Sequence, residues 1–228
     1  DCLSDWFQAV GLNLNVKKSE VLGFGFSPRP IIIGKEVIHA SNVIKFLGCN
    51  IQSNLKWNVQ VQNVARNIRY SASRIRHEGM HLTVSERRIL YGSWVNGQIL
   101  ANGLAYLPWL NKEQVQTLQR ACNLAIRAVA GLPKRSKHSI TRTRELFRLP
   151  SVEKLTRNLV LFAGWELKPP QEANGPQTRA KVQGNVKVQG NMKWKTSKTL
   201  AQEAWNELPQ NIKTLSERKL VKNEIKRL

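Results

Sequence analysis

The stretch Leu12-Asn13-Leu14-Asn15-Val16-Lys17-Lys18-Ser19-Glu20-Val21-Leu22-Gly23-Phe24, followed by Lys45-Phe46-Leu47-Gly48-Cys49-Asn50-Ile51, decides how the chain reads. Leu12, Leu14 and Val16 alternate with polar residues, the period of a half-buried strand. Val21, Leu22, Phe24 and Phe26 form a second run, closed by the turn pair Ser27-Pro28. Ile31-Ile32-Ile33-Gly34-Lys35-Glu36-Val37-Ile38 predicts a tight hairpin, with Gly34 able to take a positive φ at the turn. Val43 to Ile51 predicts a further strand with Gly48 at its centre, where a missing Cβ suits a bulge or a close backbone approach.

The flanks of this stretch are helical. Leu3, Trp6, Phe7 and Val10 recur at helical spacing, and Gly11 suits the position just past a helix end. Trp57 is placed where the strands meet the next helix, and from residue 58 the period changes from two to 3.6. Val61, Val64, Ile68, Ala72 and Ile75 make an apolar stripe over residues 58 to 78, with Arg66, Arg69, Arg74 and Arg76 mostly off it. Thr83-Val84-Ser85-Glu86 is a capping-box pattern that predicts one long helix to about Tyr106. Its inward residues read as Ile89, Leu90, Trp94, Val95, Ile99 and Leu104. Gly92, Gly97 and Gly103 imply close helix packing there or a break near residue 97. Asn111 caps a third helix, with Leu110 and Val115 spaced as a hydrophobic staple. The stripe of that helix is Val115, Leu118, Cys122, Ile126 and Val129, and Gly131-Leu132-Pro133 ends it. Shorter helices follow over Thr141 to Phe147 and over Val152 to Trp165, the latter with Leu155, Leu159, Phe162 and Ala163 inward. Residues 169–198 are polar and contain a short duplication, Lys181 to Val186 echoed by Lys187 to Met192, which reads as a linker or a weak hairpin. Helix returns after residue 199, ending in a basic tail from Ser216 to Leu228.

The charge is as informative as the pattern. The 228 residues carry a net charge of +21, which points to a polyanionic partner, nucleic acid before anionic membrane. No apolar run approaches the ~20 residues that a bilayer span needs. Residues 1–58 hold six basic against four acidic residues, whereas residues 59–168 hold eighteen Lys and Arg against six Glu, a surplus of +12. The densest cluster is Lys134-Arg135-Ser136-Lys137-His138. Arg66, Arg69, Arg74, Arg76, Lys134, Arg135 and Lys137 are the candidate phosphate contacts, because a guanidinium fork or an ammonium on a helix or loop suits phosphate oxygens. Three cysteines, Cys2, Cys49 and Cys122, without CxxC spacing read as buried thiols in a reducing compartment. His77 and His81 stand four apart with no third ligand evident, so no metal site is predicted. The only aspartates are Asp1 and Asp5.

The order of motifs is specific. A helix, the segment Leu12-x-Leu14-Asn15-x-x-Lys18-Ser19, a short hairpin, then Lys45-x-Leu47-Gly48-x-x-Ile51 and Trp57 together resemble the end of the palm of reverse transcriptases from non-LTR retrotransposons. The segment Ala204-Trp205-Asn206-Glu207-Leu208-Pro209-x-x-Ile212 resembles the region after the thumb in the same family, with less specificity. The resemblance implies an α+β chain: a small antiparallel palm-end sheet followed by a mainly α-helical thumb bundle. It divides the chain into a palm remnant over 1–57, holding motif D and a primer-grip-like hairpin, a thumb over 58–168, a polar linker over 169–198 and a helical tail over 199–228. Lys18 then takes the place of the motif D lysine, which assists pyrophosphate departure. By strand alternation Lys17 points the other way. Phe46, Leu47, Gly48 and Cys49 take the place of the primer grip, with Gly48 admitting the primer backbone.

The family's metal-binding aspartates belong upstream, and no Tyr-x-Asp-Asp occurs here. Two-metal chemistry needs clustered carboxylates. The resemblance therefore implies a piece of an RNA-directed DNA polymerase that holds RNA template and DNA primer, inactive alone. Mg²⁺ and the remaining palm and fingers would belong to a full-length parent, within a nuclear or cytoplasmic ribonucleoprotein. The alternative is a non-catalytic basic nucleic-acid-binding protein derived from a retroelement.

Overall fold

A computed structural model describes residues 2–33, 36–167, 185–188, 192–195 and 197–228. The fold is α+β, and the chain divides into two compact units. The first comprises Asp1–Asn102 and Leu110–Thr143; the second comprises Gly103–Trp109 and Arg144–Leu228.

The first unit opens with α1 (Cys2–Ala9). Gly11 at φ 72 ends it: its N–H reaches Gln8 O at 3.1 Å and that of Leu12 reaches Phe7 O at 2.8 Å. This paired closure satisfies carbonyls that the last turn leaves without partners. The strand expected over Leu12–Val16 is absent. Residues 12–15 have no regular structure and Val16–Lys18 is a 3-10 turn. Asn15 is the reason: its Oδ1 accepts from the Lys18 N–H at 3.1 Å, while the Ser19 hydroxyl donates to Asn15 O at 3.0 Å. Such local side-chain bonds compete with a strand ladder. The strand over Val21–Phe26 also fails, since only an isolated bridge from Val21 to Ala40 remains and Phe24 and Phe26 are exposed.

Two antiparallel hairpins do form. In the first, β1 (Ile31–Ile33) pairs with β2 (Glu36–Ile38), Ile33 opposite Glu36. The turn expected at Gly34 and Lys35 lies outside the described residues. In the second, β3 (Val43–Phe46) pairs with β4 (Cys49–Gln52), Phe46 opposite Cys49. The single strand expected over Val43–Ile51 is thus a hairpin. Gly48 lies at its turn, not inside a strand: Leu47 has φ 45 and Gly48 φ 84. Two successive positive φ values match the twist of a two-residue hairpin loop.

The core of this unit joins α2 (Asn58–His77) to α6 (Lys112–Val129). Val61, Val64, Ile68, Ala72 and Ile75 are buried from α2, and Leu118, Cys122, Ile126 and Val129 from α6, as their periodicity predicts. The two helices run parallel. At their starts Gln114 Nε2 donates to Asn58 Oδ1 at 2.7 Å, and at the other end Arg76 NH1, in the last turn of α2, donates to Leu132 O just past α6 at 2.9 Å.

The long helix expected from Val84 to Tyr106 is interrupted. It is α3 (Val84–Tyr91), a π turn (Gly92–Asn96), α4 (Gly97–Leu100), a break at Asn102 (φ 56), and α5 (Gly103–Tyr106). The capping box at Thr83 and Glu86 and that at Asn111 and Gln114 are both formed. Tyr91, Val95 and Ile99 are the buried residues before the break. Ile89 is 71% exposed and Leu104 is also exposed, contrary to the simple helical stripe. The buried face runs through Tyr91, Val95 and Ile99, four apart, and Ile89 stands about 200° around α3 from Tyr91.

In the second unit α8 (Val152–Leu167) packs against apolar partners. Leu161 and Trp165 join Ala204 and Leu208 of α9 (Ser197–Glu207) and its end, Ile212 of α10 (Gln210–Lys213), and Val221 and Ile225 of α11 (Arg218–Arg227). The expected inward set is corrected here: Leu155 is buried, but Leu159, Phe162 and Ala163 are only half-buried. Packing against both α5 and α9 makes more than one face of α8 apolar. A third hairpin pairs β5 (Asn185–Val188) with β6 (Met192–Lys195), within the segment read as a linker or weak hairpin. Residues 169–184, 189–191 and 196, and with them most of the duplication, lie outside the described residues.

Candidate nucleic-acid interface

The β3–β4 hairpin is fastened to the start of α2 by amides. Gln60, buried, accepts at Oε1 from the backbone N–H of Asn50 at 2.9 Å and from its Nδ2 at 2.8 Å. Gln52 Oε1 accepts from the Val59 N–H at 2.9 Å, taking up a donor that the first helical turn leaves open. At the tip, Asn102 Nδ2 donates to Leu47 O at 3.0 Å. The helix break that places Asn102 in the left-handed region thereby holds the turn Leu47-Gly48.

The four residues with the primer-grip pattern do not share one environment. Phe46 is 59% exposed and Leu47 80%, so the tip presents apolar side chains to solvent. Gly48 is exposed at the turn. Cys49 is 5% exposed, and burial raises its thiol pKa. Its side chain packs inward. Cys122 lies in the α2–α6 core, where burial pushes its thiol up to about 12. Lys18 is exposed in its 3-10 turn, as is Lys17. The strand alternation that would separate them does not exist.

The arginines of α2 divide into two pairs. Arg66 and Arg69 are exposed and have no acidic partner among the described residues. Arg74 is engaged: its Nε and NH2 donate to Glu78 Oε1 and Oε2 at 2.8 and 2.9 Å, and its guanidinium lies 4.1 Å from the Trp94 ring centre. The Glu78 carboxyl is held below its ordinary pKa by that hydrogen bond. Arg76 is half-buried and donates to Leu132 O.

Lys134, Arg135 and Lys137 are exposed in the loop that follows α6. Inside this loop the Ser136 N–H donates to Pro133 O at 3.1 Å, and Ser136 Oγ lies 2.8 Å from His138 Nδ1. The parallel packing puts the hairpin at the start of α2 and this loop at its far end, a helix of 20 residues between them. At about 1.5 Å per residue that is about 30 Å.

His77 and His81 do not share a helix face, because α2 ends at His77 and Glu78–His81 is a 3-10 turn. Among the described residues no three His, Cys, Asp or Glu side chains gather as a metal-binding group. No described helix is long and apolar enough to cross a membrane.

Protein-family models, curated proteins and solved structures give no match to this chain.

Sequence reading missed Asn102, Gln60, Gln52 and Asn58, the polar residues that assemble the hairpin and helix starts. Asn102 alone carried a signal, since asparagine directly before Gly103 is a pair that favours a break with positive φ.

Proposed function

We propose that the chain grips a nucleic-acid duplex through its phosphates, as the palm end and thumb of a non-LTR retrotransposon reverse transcriptase would grip primer and template. The observation that carries this is the set Arg66, Arg69, Lys134, Arg135 and Lys137: all exposed, none paired with an acid among the described residues, in a chain of net charge +21. Exposed cations left without acids keep their full charge for a polyanion, whose counterions they release. Phosphates are alike along a duplex, so such contacts carry little sequence preference. The motif order Asn15-x-x-Lys18 and Phe46-Leu47-Gly48 supports the narrower part of the reading, in which the duplex is RNA–DNA and the parent an RNA-directed DNA polymerase working with Mg²⁺ in a ribonucleoprotein. With Asp1 and Asp5 as its only aspartates, this chain has the role of holding, and catalysis falls to carboxylates elsewhere in such a parent.

Titration of a labelled duplex at several salt concentrations tests the reading. Each phosphate contact adds about 0.9 to the slope of log K against log salt on B-DNA, so about four contacts give a slope of roughly −3 to −4. Replacing Lys134, Arg135 and Lys137 together by Ala should flatten the slope and weaken all sequences alike. A wild-type slope near zero, or strong discrimination between scrambled sequences, refutes the proposal. Template-dependent primer extension by the pure chain would refute its non-catalytic part.

A further inference from the structure

We propose that Arg76 is a positioning residue for the basic loop and not itself a phosphate contact. This rests on the duplex-binding reading above and separates two kinds of cation within it. The end of α6 is a convergence of carbonyls. Gly131 at φ 68 turns the chain, its N–H reaching Ala128 O at 3.2 Å and that of Leu132 reaching Arg127 O at 2.8 Å. Two guanidinium groups from other helices meet this turn. Arg87 NH1 donates to Ala128 O at 3.5 Å, and Arg76 NH1 donates to Leu132 O at 2.9 Å. A cation at a helix C-terminus is favoured by the negative end of the helix dipole. That location draws the charge of Arg76 toward the protein.

The bond to Leu132 O fixes the backbone two residues before Lys134. Pro133 then restricts φ at the next position, and its carbonyl accepts the Ser136 N–H. Lys134, Arg135 and Lys137 thus leave from a loop whose entrance is set by α2. Binding by a preset loop loses less conformational entropy than binding by a loose one. Arg76 therefore raises affinity without adding a phosphate contact.

The test compares the wild-type chain with Arg76→Ala, Arg76→Lys and Lys134→Ala, using a labelled 16-base-pair DNA duplex across a salt series. Active fractions are set by stoichiometric titration, so a loss of folded protein is not read as a loss of affinity. Lys134→Ala should lower the magnitude of the salt slope by about 0.9. Arg76→Ala should weaken binding roughly three- to tenfold at every salt concentration with the slope unchanged. Arg76→Lys, which keeps a donor and the charge, should recover part of the loss. Amide exchange of Ser136 in the unbound chain should quicken in Arg76→Ala and not in Lys134→Ala. If Arg76→Ala lowers the slope as Lys134→Ala does, Arg76 touches phosphate and the inference is wrong. If affinity per active molecule is unchanged, its role is only structural and the inference is equally wrong. A wild-type slope near zero brings down the duplex reading and this role together; quickened Ser136 exchange alone would then mark Arg76 as a brace without a ligand.

Discussion

Asn102 joins two effects at one position. It adopts φ 56, which costs an ordinary L-residue about 1 kcal/mol, and it donates to Leu47 O at the hairpin tip. Asn102→Gly keeps the backbone freedom and loses the bond, an expected destabilisation of about 0.5–1.5 kcal/mol. Asn102→Ala loses both and should cost about 1 kcal/mol more than the glycine variant. Urea unfolding of the two variants measures the difference; equal stabilities would remove the backbone term. The thiols give a second prediction at this scale. Burial disfavours the thiolate, so with its pKa near 12 Cys122 should resist alkylation at pH 8 in the folded chain. Cys49, buried and also raised, should behave in the same way. Both should react once denaturant is added, as mass spectrometry of the cysteine-containing peptides would record. Prompt native labelling of Cys122 would contradict the packing of α2 on α6.

Among the helices, glycine has opposite meanings at different positions. A Cβ at Gly164 would lie 2.7 Å from Ala204 Cβ and 2.9 Å from the Trp205 N, and one at Gly103 would lie 2.7 Å from Leu159 Cδ2. At Gly92 and Gly97 it would meet nothing within 4 Å. Gly164→Ala should therefore destabilise the second unit by about 1–3 kcal/mol, because α8 and α9 must separate. Gly97→Ala should stabilise the first unit by about 0.5–1 kcal/mol, the ordinary gain of Ala over Gly in a helix. Thermal melts of the two variants should move in opposite directions, and a stabilised Gly164→Ala would mean that the α8–α9 contact is looser than described. The capping box at the start of α3 has a pH dependence. Hydrogen bonds from the Thr83 hydroxyl and N–H hold the Glu86 carboxyl below its ordinary pKa. A lowered folded-state pKa means that the contribution is complete above the unfolded value, about 4.3, and is lost as pH falls through the lower folded value. Glu86→Gln should reduce the acid sensitivity of the first unit in that window; an unaltered acid transition would show that the box contributes nothing measurable.

At the scale of the first unit, the parallel α2–α6 pair sets a length. The β3–β4 hairpin is fastened at one end of α2 and the basic loop at the other, a helix length of about 30 Å, close to one turn of B-form duplex, about 34 Å. If both ends engage one duplex, affinity should fall steeply below about 9 base pairs, each pair adding about 3.4 Å of length. Competition by duplexes of graded length measures this, and a smooth decline in proportion to length would mean that only one end binds.

Local chemistry alone determined a great deal of this protein. The apolar stripes of α2 and α6, the capping box at Thr83, the N-cap Asn111 and the glycine endings at Gly11 and Gly131 follow from side-chain periodicity and from bonds within a few residues. They were legible because their partners are neighbours in sequence. The excess of cations was legible as composition. Tertiary structure decided what depends on distant partners. The alternating segment found no neighbouring strand to complete a ladder, which left the local bonds of Asn15 to set a 3-10 turn. Packing chose the face of α3 that carries Tyr91, which leaves Ile89, two residues earlier on the opposite face, in solvent. Leu132 O, 56 residues from Arg76, turned one of four similar arginines inward, and Glu78 with Trp94 claimed another. A sequence gives the charge of an arginine, but only the folded chain shows whether a carbonyl, a carboxylate or solvent stands within reach of its guanidinium.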